Sequence, residues 1–179
     1  MSRLIFGFGS LVTQATHSYG WRGTARLSGY RRVWVPSPLW GQSLLSVEPH
    51  EGSEIDGSIL EVSEADWPGL LEREKGYDVH TVTASSLDPA TKDVSLFVGR
   101  PDQAVAVNDK PILLSYLDTV VTGFVDNFGT DRARDFFGST VGWSAGITKD
   151  RDDPIYPRTV SLSDQVKSLV DEELARLGL

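Results

Sequence analysis

The chain has 179 residues, 40% of them apolar, with a mean hydropathy of −0.18, which is enough to bury a substantial core without covalent staples. Seventeen Lys and Arg against 25 Asp and Glu leave a net charge of −8, which disfavours nucleic acid or an anionic membrane as a partner. No cysteine is present, and this excludes disulfides, thiolate nucleophiles, zinc–thiolate sites and iron–sulfur clusters. No apolar run approaches ~18 residues, and Met1-Ser2-Arg3 leads into a strand without a signal-peptide pattern. The expectation is one domain over residues 1–179, cytoplasmic, with no repeat, linker or low-complexity segment.

The first element, Leu4-Ile5-Phe6, is a short apolar run with a β-branched residue and an aromatic, as a core strand requires. It breaks at once into Gly7-Phe8-Gly9-Ser10-Leu11-Val12. Gly7 and Gly9 fall on one face of the strand end, where a ligand or another backbone can come close. Gly9, Ser10 and Leu11 offer consecutive backbone N–H groups that form a small nest for a carboxylate or phosphate. A plain tight turn beside a core strand explains the local chemistry equally well. Three sharper motifs fail. A dinucleotide fingerprint needs glycine at Val12, a P-loop needs Gly-Lys-Ser/Thr, and a nucleophile elbow needs glycines where Phe8 and Val12 stand.

Residues 23–36 read as a strand bulged at Gly29, with Tyr30, Arg32 and Trp34 on one face, ended by Pro36-Ser37-Pro38. Residues 43–47 and 55–62 read as two more strands, joined by a polar turn from Pro49 to Ser53. Ser63, with Asp66 three residues on and Pro68 in the first turns, opens a helix to about Lys75 that Gly76 stops. Residues 79–87 and 94–98 alternate as strands around a turn at 88–92. From Pro111 the apolar period lengthens: Leu113, Leu114, Leu117, Val120, Val121, Phe124, Val125 and Phe128 mark an amphipathic helix with Gly129 as its cap. A short second helix follows at 132–137, then a polar, proline-broken loop at 150–158. Ser163 caps a last helix with Val166, Leu169, Val170, Leu174 and Leu177 on one face. Strands before residue 99 and helices after 110 predict an α+β fold, a curved or closed sheet with helices packed to one side.

The helix at 64–76 carries the informative carboxylate. Trp67, Leu70 and Leu71 mark its buried face, and Glu74, three and four residues beyond the leucines, continues that stripe. Glu72 falls on the solvent side. An inward carboxylate has two fates: a rim group bonded to backbone N–H or to Arg31 or Arg32, or a buried acid whose raised pKa fits it for proton transfer.

Phe8-Gly9-Ser10-Leu11 resembles the Tyr-Gly-Ser-Leu loop of the γ-glutamylcyclotransferase-like superfamily, and Arg73-Glu74 with Gly76-Tyr77 resembles its catalytic-glutamate segment. The pair is closest in flavour to the ChaC-type branch. Gly29-Tyr30-Arg31-Arg32-Val33-Trp34 and Tyr116-Leu117-Asp118 resemble its second strand and late helix, so the likeness covers residues 3 to 125. It implies a mixed, barrel-like sheet flanked by helices. Phe8 departs from the family's tyrosine and removes that hydroxyl. The last 50 residues match no motif.

The resemblance further implies release of an amine from a γ-glutamyl compound with closure to 5-oxoproline, a reaction needing no metal or other cofactor. Glu74 would be the acid–base group, and the loop Phe8, Gly9, Ser10 and Leu11 would bind substrate. Ser10 is a poor nucleophile, since no histidine is placed by sequence to activate it. Core packing is the expected role of Tyr116, while Trp21, Trp40 and Trp143 are open between core and site. Residues 36–43 and 138–158 are the expected substrate loops. A small-molecule-binding or regulatory protein of the same fold is the alternative; nothing bears on oligomeric state.

Overall fold

The computed structural model describes residues 2–86, 93–100 and 110–179. The short apolar run at 4–6 forms the middle of strand β1 (Ser2–Gly7), and neighbours on both sides bury it: β3 (Ser43–Ser63) antiparallel, β6 (Asp93–Gly99) parallel. Alternate residues of β1 serve different cores. Phe6 joins Trp34, Ile59 and Phe124 on one face, while Ile5 joins Leu60, Val62, Leu70 and Phe97 on the other. A strand covered on both faces reads as a continuous apolar run rather than an alternation.

Strand β2 (Gly20–Pro36) pairs with β3 as a long hairpin running from Pro36↔Ser43 back to Gly20↔Glu61. The register shifts between Ser28 and Tyr30, where Gly29 adopts φ +81°. Burial changes phase there, from Ala25 and Leu27 to Arg32 and Trp34, as one inserted residue demands of a period-two element. The polar stretch from Pro49 to Ser53 is not a turn between two strands. Ser28 pairs with Glu54 and Tyr30 with Pro49, so these residues bulge opposite Gly29 within one continuous β3.

Strands β4 (Tyr77–Thr83), β5 (Ser85–Ser86) and β8 (Thr140–Val141) complete a mixed sheet of seven strands among the described residues, in the order β4-β6-β1-β3-β2-β5 with β8 parallel to β2. A second, two-stranded parallel sheet joins β7 (Ile112–Leu113) to β9 (Ile147–Thr148). The expected strand at 79–87 is split at Ala84, and Leu87 and the turn at 88–92 lie outside the described residues.

Among the described residues, three α-helices flank the curled, half-barrel sheet. The first, α1 (Trp67–Arg73), is shorter than the sequence predicts, because Ser63 closes a tight turn with Asp66 before the helix begins. Its stripe is therefore narrow, and Leu71 is exposed, whereas Leu70 is buried. The second, α2 (Leu114–Ser139), breaks at Gly129, which takes φ 82° and ψ 171°, so the expected cap and following helix form one interrupted element. The last, α3 (Asp164–Arg176), is capped by the Ser163 hydroxyl, which accepts from the Val166 N–H at 3.2 Å. Among the described residues no helix is long and apolar enough to cross a membrane.

Candidate active site

A cavity of about 390 Å³ opens where β1 ends, and the sequence-predicted residues Phe8, Gly9, Ser10, Leu11 and Glu74 all line it. Its other walls come from Trp40 to Leu45, from Tyr77 and Phe97, from Leu113 and Tyr116 at the start of α2, and from Ile155 to Arg158. Both stretches expected to supply substrate loops thus contribute.

The chain leaves β1 through Gly7 and Gly9 because neither position has room for a side chain. A Cβ on Gly7 would lie 2.8 Å from that of Leu11, and one on Gly9 would lie 2.9 Å from the Tyr116 hydroxyl. Ser10–Val12 then closes a single 3-10 turn, with the Val12 N–H donating to the Gly9 carbonyl at 2.9 Å. Among the described residues no carbonyl accepts from the N–H groups of Gly9, Ser10 or Leu11. The Ser10 N–H instead faces the Tyr116 oxygen. Tyr116 therefore stands in the cavity over the glycine loop, rather than serving only the core. Its ring makes edge contacts with Trp34 at 5.9 Å and Tyr156 at 5.0 Å, and burial pushes its pKa up.

Glu74 is the C-cap of α1 and sits on the stripe of Trp67 and Leu70. Its carboxylate meets neither Arg31, which pairs with Glu48, nor Arg32, which donates to the Phe8 carbonyl. Its partner is the adjacent Arg73, whose Nε lies 3.2 Å from Oε1, with the two side chains 6% and 12% exposed. Burial pushes the Glu74 pKa up; Arg73 and Arg158 pull it back, and burial wins. Arg73 in turn spends its remaining donors on the glycine-loop side: Nη1 on the Thr16 carbonyl at 3.1 Å, and Nη2 on Ser10 Oγ at 3.1 Å and Thr16 Oγ1 at 3.2 Å. The loop and the carboxylate are thus held in one hydrogen-bonded unit. Tyr77 closes the floor, its hydroxyl donating to the Leu45 carbonyl at 2.9 Å.

Sequence reasoning names Arg73 only as part of the Arg73-Glu74 motif, without a role, and does not single out Tyr156 or Arg158. The last two are brought in by Asp150, whose carboxylate accepts from the Ser115 N–H at 2.8 Å, the Ser115 hydroxyl at 2.6 Å and the Ile155 N–H at 3.0 Å. Burial pushes Asp150 up, but these bonds outweigh it and hold its pKa down. The only signal in the sequence is the run Asp-Pro-Ile-Tyr-Pro-Arg itself. Of the tryptophans left open, Trp40 lines the cavity, Trp143 stacks on Phe137 and Trp21 packs beneath the α1 side of the sheet. Among the described residues no group of three or more His, Asp or Glu is positioned to hold a metal ion.

No family model matches this sequence, and no curated protein matches it. Solved structures do. An uncharacterized protein from Homo sapiens superposes with a TM-score of 0.62 at 16% identity over 95% of this chain and 98% of that one. A structure described as gamma-glutamyl cyclotransferase gives 0.62 at 16% over 96% and 99%. YkqA from Bacillus subtilis gives 0.61 at 15% over 75% of this chain and 52% of that one. At these identities the likeness concerns the fold, and the chain has the γ-glutamylcyclotransferase-like fold.

Proposed function

We propose that this chain is a γ-glutamylcyclotransferase-like enzyme, which closes the γ-glutamyl group of glutathione or of a γ-glutamyl amino acid or amine to 5-oxoproline and releases the amine. The observation that carries this reading is a buried carboxylate of raised pKa lining one cavity with a loop whose Gly9, Ser10 and Leu11 N–H groups meet no backbone carbonyl among the described residues.

The reaction needs little from the protein beyond proton transfer and shape. Glu74 takes a proton from the substrate ammonium, the freed nitrogen attacks the γ-carbonyl carbon, and the amide C–N bond breaks. That proton passes to the departing amine. A second, shed by the attacking nitrogen as the ring closes, follows it through Glu74, so the amine leaves as its ammonium and Glu74 returns to its starting charge. Burial suits Glu74 to the first step, because a carboxylate of raised pKa takes a proton from the ammonium more readily than an ordinary one. Extended substrate must be bent into a near-attack shape. The N–H groups of Gly9, Ser10 and Leu11 hold the α-carboxylate or the oxyanion, with the Tyr116 hydroxyl beside them. Arg73 keeps the carboxylate and the loop at a set separation.

The test is 5-oxoproline release from glutathione, γ-glutamyl amino acids and γ-glutamyl-lysine, with wild type beside Glu74→Gln. Turnover by wild type and a loss of about 10²- to 10⁴-fold in kcat for the variant, with KM little changed, is the expected result. Near-normal kcat in the variant would remove Glu74 from the mechanism. No release from any substrate by folded wild type would leave a binding or regulatory protein of this fold.

A further inference from the structure

Among the described residues, the cavity wall carries three charged side chains, Arg73, Glu74 and Arg158. Arg73 and Glu74 neutralise each other, and every nitrogen of the Arg73 guanidinium is already engaged. Arg158 differs. Among the described residues no acceptor lies within hydrogen-bond or ion-pair distance of it, although it faces Glu74 closely enough to pull the carboxyl pKa down. The cavity therefore presents one uncommitted positive charge.

Its position is as informative as its charge. The Tyr116 hydroxyl, over Gly9, shares its surroundings with Tyr156, Glu74 and Arg73. Arg158 shares its surroundings with Glu74 and with Tyr19, which stacks on His17 beyond the loop. Glu74 is thus tied to the glycine loop through Arg73 and lies within electrostatic reach of Arg158 on the same cavity wall. With the α-carboxylate of a γ-glutamyl group on the loop and its amide at Glu74, Arg158 is the cation of the cavity wall left for the rest of the substrate.

Resting on the cyclotransferase reading, we infer that Arg158 binds a carboxylate borne by the leaving amine. The substrate class is then γ-glutamyl amino acids and short γ-glutamyl peptides, rather than γ-glutamyl amines that lack an acid. The charges agree. Such a substrate carries one ammonium and two carboxylates, net −1, against the cavity's single uncommitted cation, whereas a γ-glutamyl amine without an acid is neutral overall. A guanidinium suits the task because its planar fork meets both oxygens of a carboxylate. Arg158 is half-buried, so solvent screens the interaction and the lower end of the charge-assisted range applies, about tenfold in affinity.

The experiment compares γ-glutamyl-alanine and glutathione, each against its own C-terminal carboxamide, in wild type, Arg158→Gln and Arg158→Lys. Wild type should prefer the free acid about tenfold in kcat/KM in at least one pair. Arg158→Gln should collapse that ratio toward one through KM, and Arg158→Lys should keep part of it. A wild-type ratio near one in both pairs, or a ratio unmoved by Arg158→Gln, overturns the assignment. Calorimetric binding of the same compounds separates this from the enzyme reading. Acid-selective binding that depends on Arg158, without 5-oxoproline release, supports the subsite and overturns turnover. Binding with no acid preference overturns the subsite, whether or not turnover occurs.

Discussion

Two buried arginines hold the Phe8–Ser10 loop, Arg32 through the Phe8 carbonyl and Arg73 through the Ser10 hydroxyl, and they tolerate burial by different means. Arg73 meets a carboxylate: its Nε pairs with Glu74 and its other nitrogens reach Ser10 and Thr16. Arg32, 2% exposed, has no carboxylate within ion-pair distance among the described residues. It donates instead to the Phe8 carbonyl at 3.0 Å and to the Asp56 carbonyl, with its guanidinium over the faces of Phe124 at 4.7 Å and Phe136 at 5.3 Å. Burial pulls the Arg32 pKa down. Carbonyl dipoles and ring quadrupoles can replace water around a cation. Only the ionic solution, however, ties the loop to a group that gains and loses a proton.

Replacing Arg73 with methionine should produce the larger effect. It leaves Glu74 buried without its cation, a change that costs about 3–5 kcal/mol where the carboxylate is ionised. The sign with pH follows from the direction of the Glu74 shift. Its folded pKa lies above the unfolded value, and removing Arg73 raises it further. The folded variant then holds the proton more tightly than the unfolded chain, so its stability falls as pH rises from the ordinary glutamate range through the raised value. Urea unfolding at pH 5 and pH 8 should show a deficit against wild type that is greater at pH 8. The acid limb of kcat/KM should move to higher pH in the same variant. A deficit equal at both values would mean that Arg73 does not neutralise Glu74.

Arg32→Met should cost less. The methionine stem and sulfur fill the space between Phe124 and Phe136, but the carbonyls of Phe8 and Asp56 lose their donor, a loss of about 1–3 kcal/mol. Because no carboxylate pairs with Arg32, urea unfolding should give the same deficit at pH 5 and pH 8. A deficit that grew with pH would erase the contrast between the two arginines.

Glu74 is legible in the sequence because its orientation is set locally. Trp67, Leu70 and Glu74 lie three and four residues apart over about two turns of helix, and periodicity alone aligns them. The same argument misassigns Leu71, because a helix as short as α1 buries only a narrow stripe, and a residue about 100° round from Leu70 leaves it. The turn signals at 49–53 are equally real, yet they mark a bulge, since pairing with β2 resumes on both sides of Gly29. The wall formed by Tyr156 and Arg158 has no local signature. It depends on Asp150 reaching back 35 residues to Ser115, and polar anchoring across that distance leaves no period to read. Tyr116 falls between these cases: its neighbours Leu117 and Val120 are core, and the same helical face that buries them turns its hydroxyl toward Gly9.

The smallest expected effect is that of Ser10→Ala, and it tests what holds the loop to Arg73. The substitution removes one acceptor, at 3.1 Å, while the Thr16 carbonyl and hydroxyl remain on the same guanidinium. One hydrogen bond among several in such a cluster is worth about 1 kcal/mol, so turnover should drop severalfold and the acid limb should stay where wild type has it. The magnitude separates two roles for this serine. A residue that merely positions Arg73 is partly replaceable by Thr16, because both reach the same nitrogen. A covalent nucleophile is not replaceable at all, and its loss would remove nearly all turnover. Severalfold loss therefore leaves intramolecular attack by the substrate amine as the chemistry, whereas near-complete loss would transfer the central role from Glu74 to Ser10.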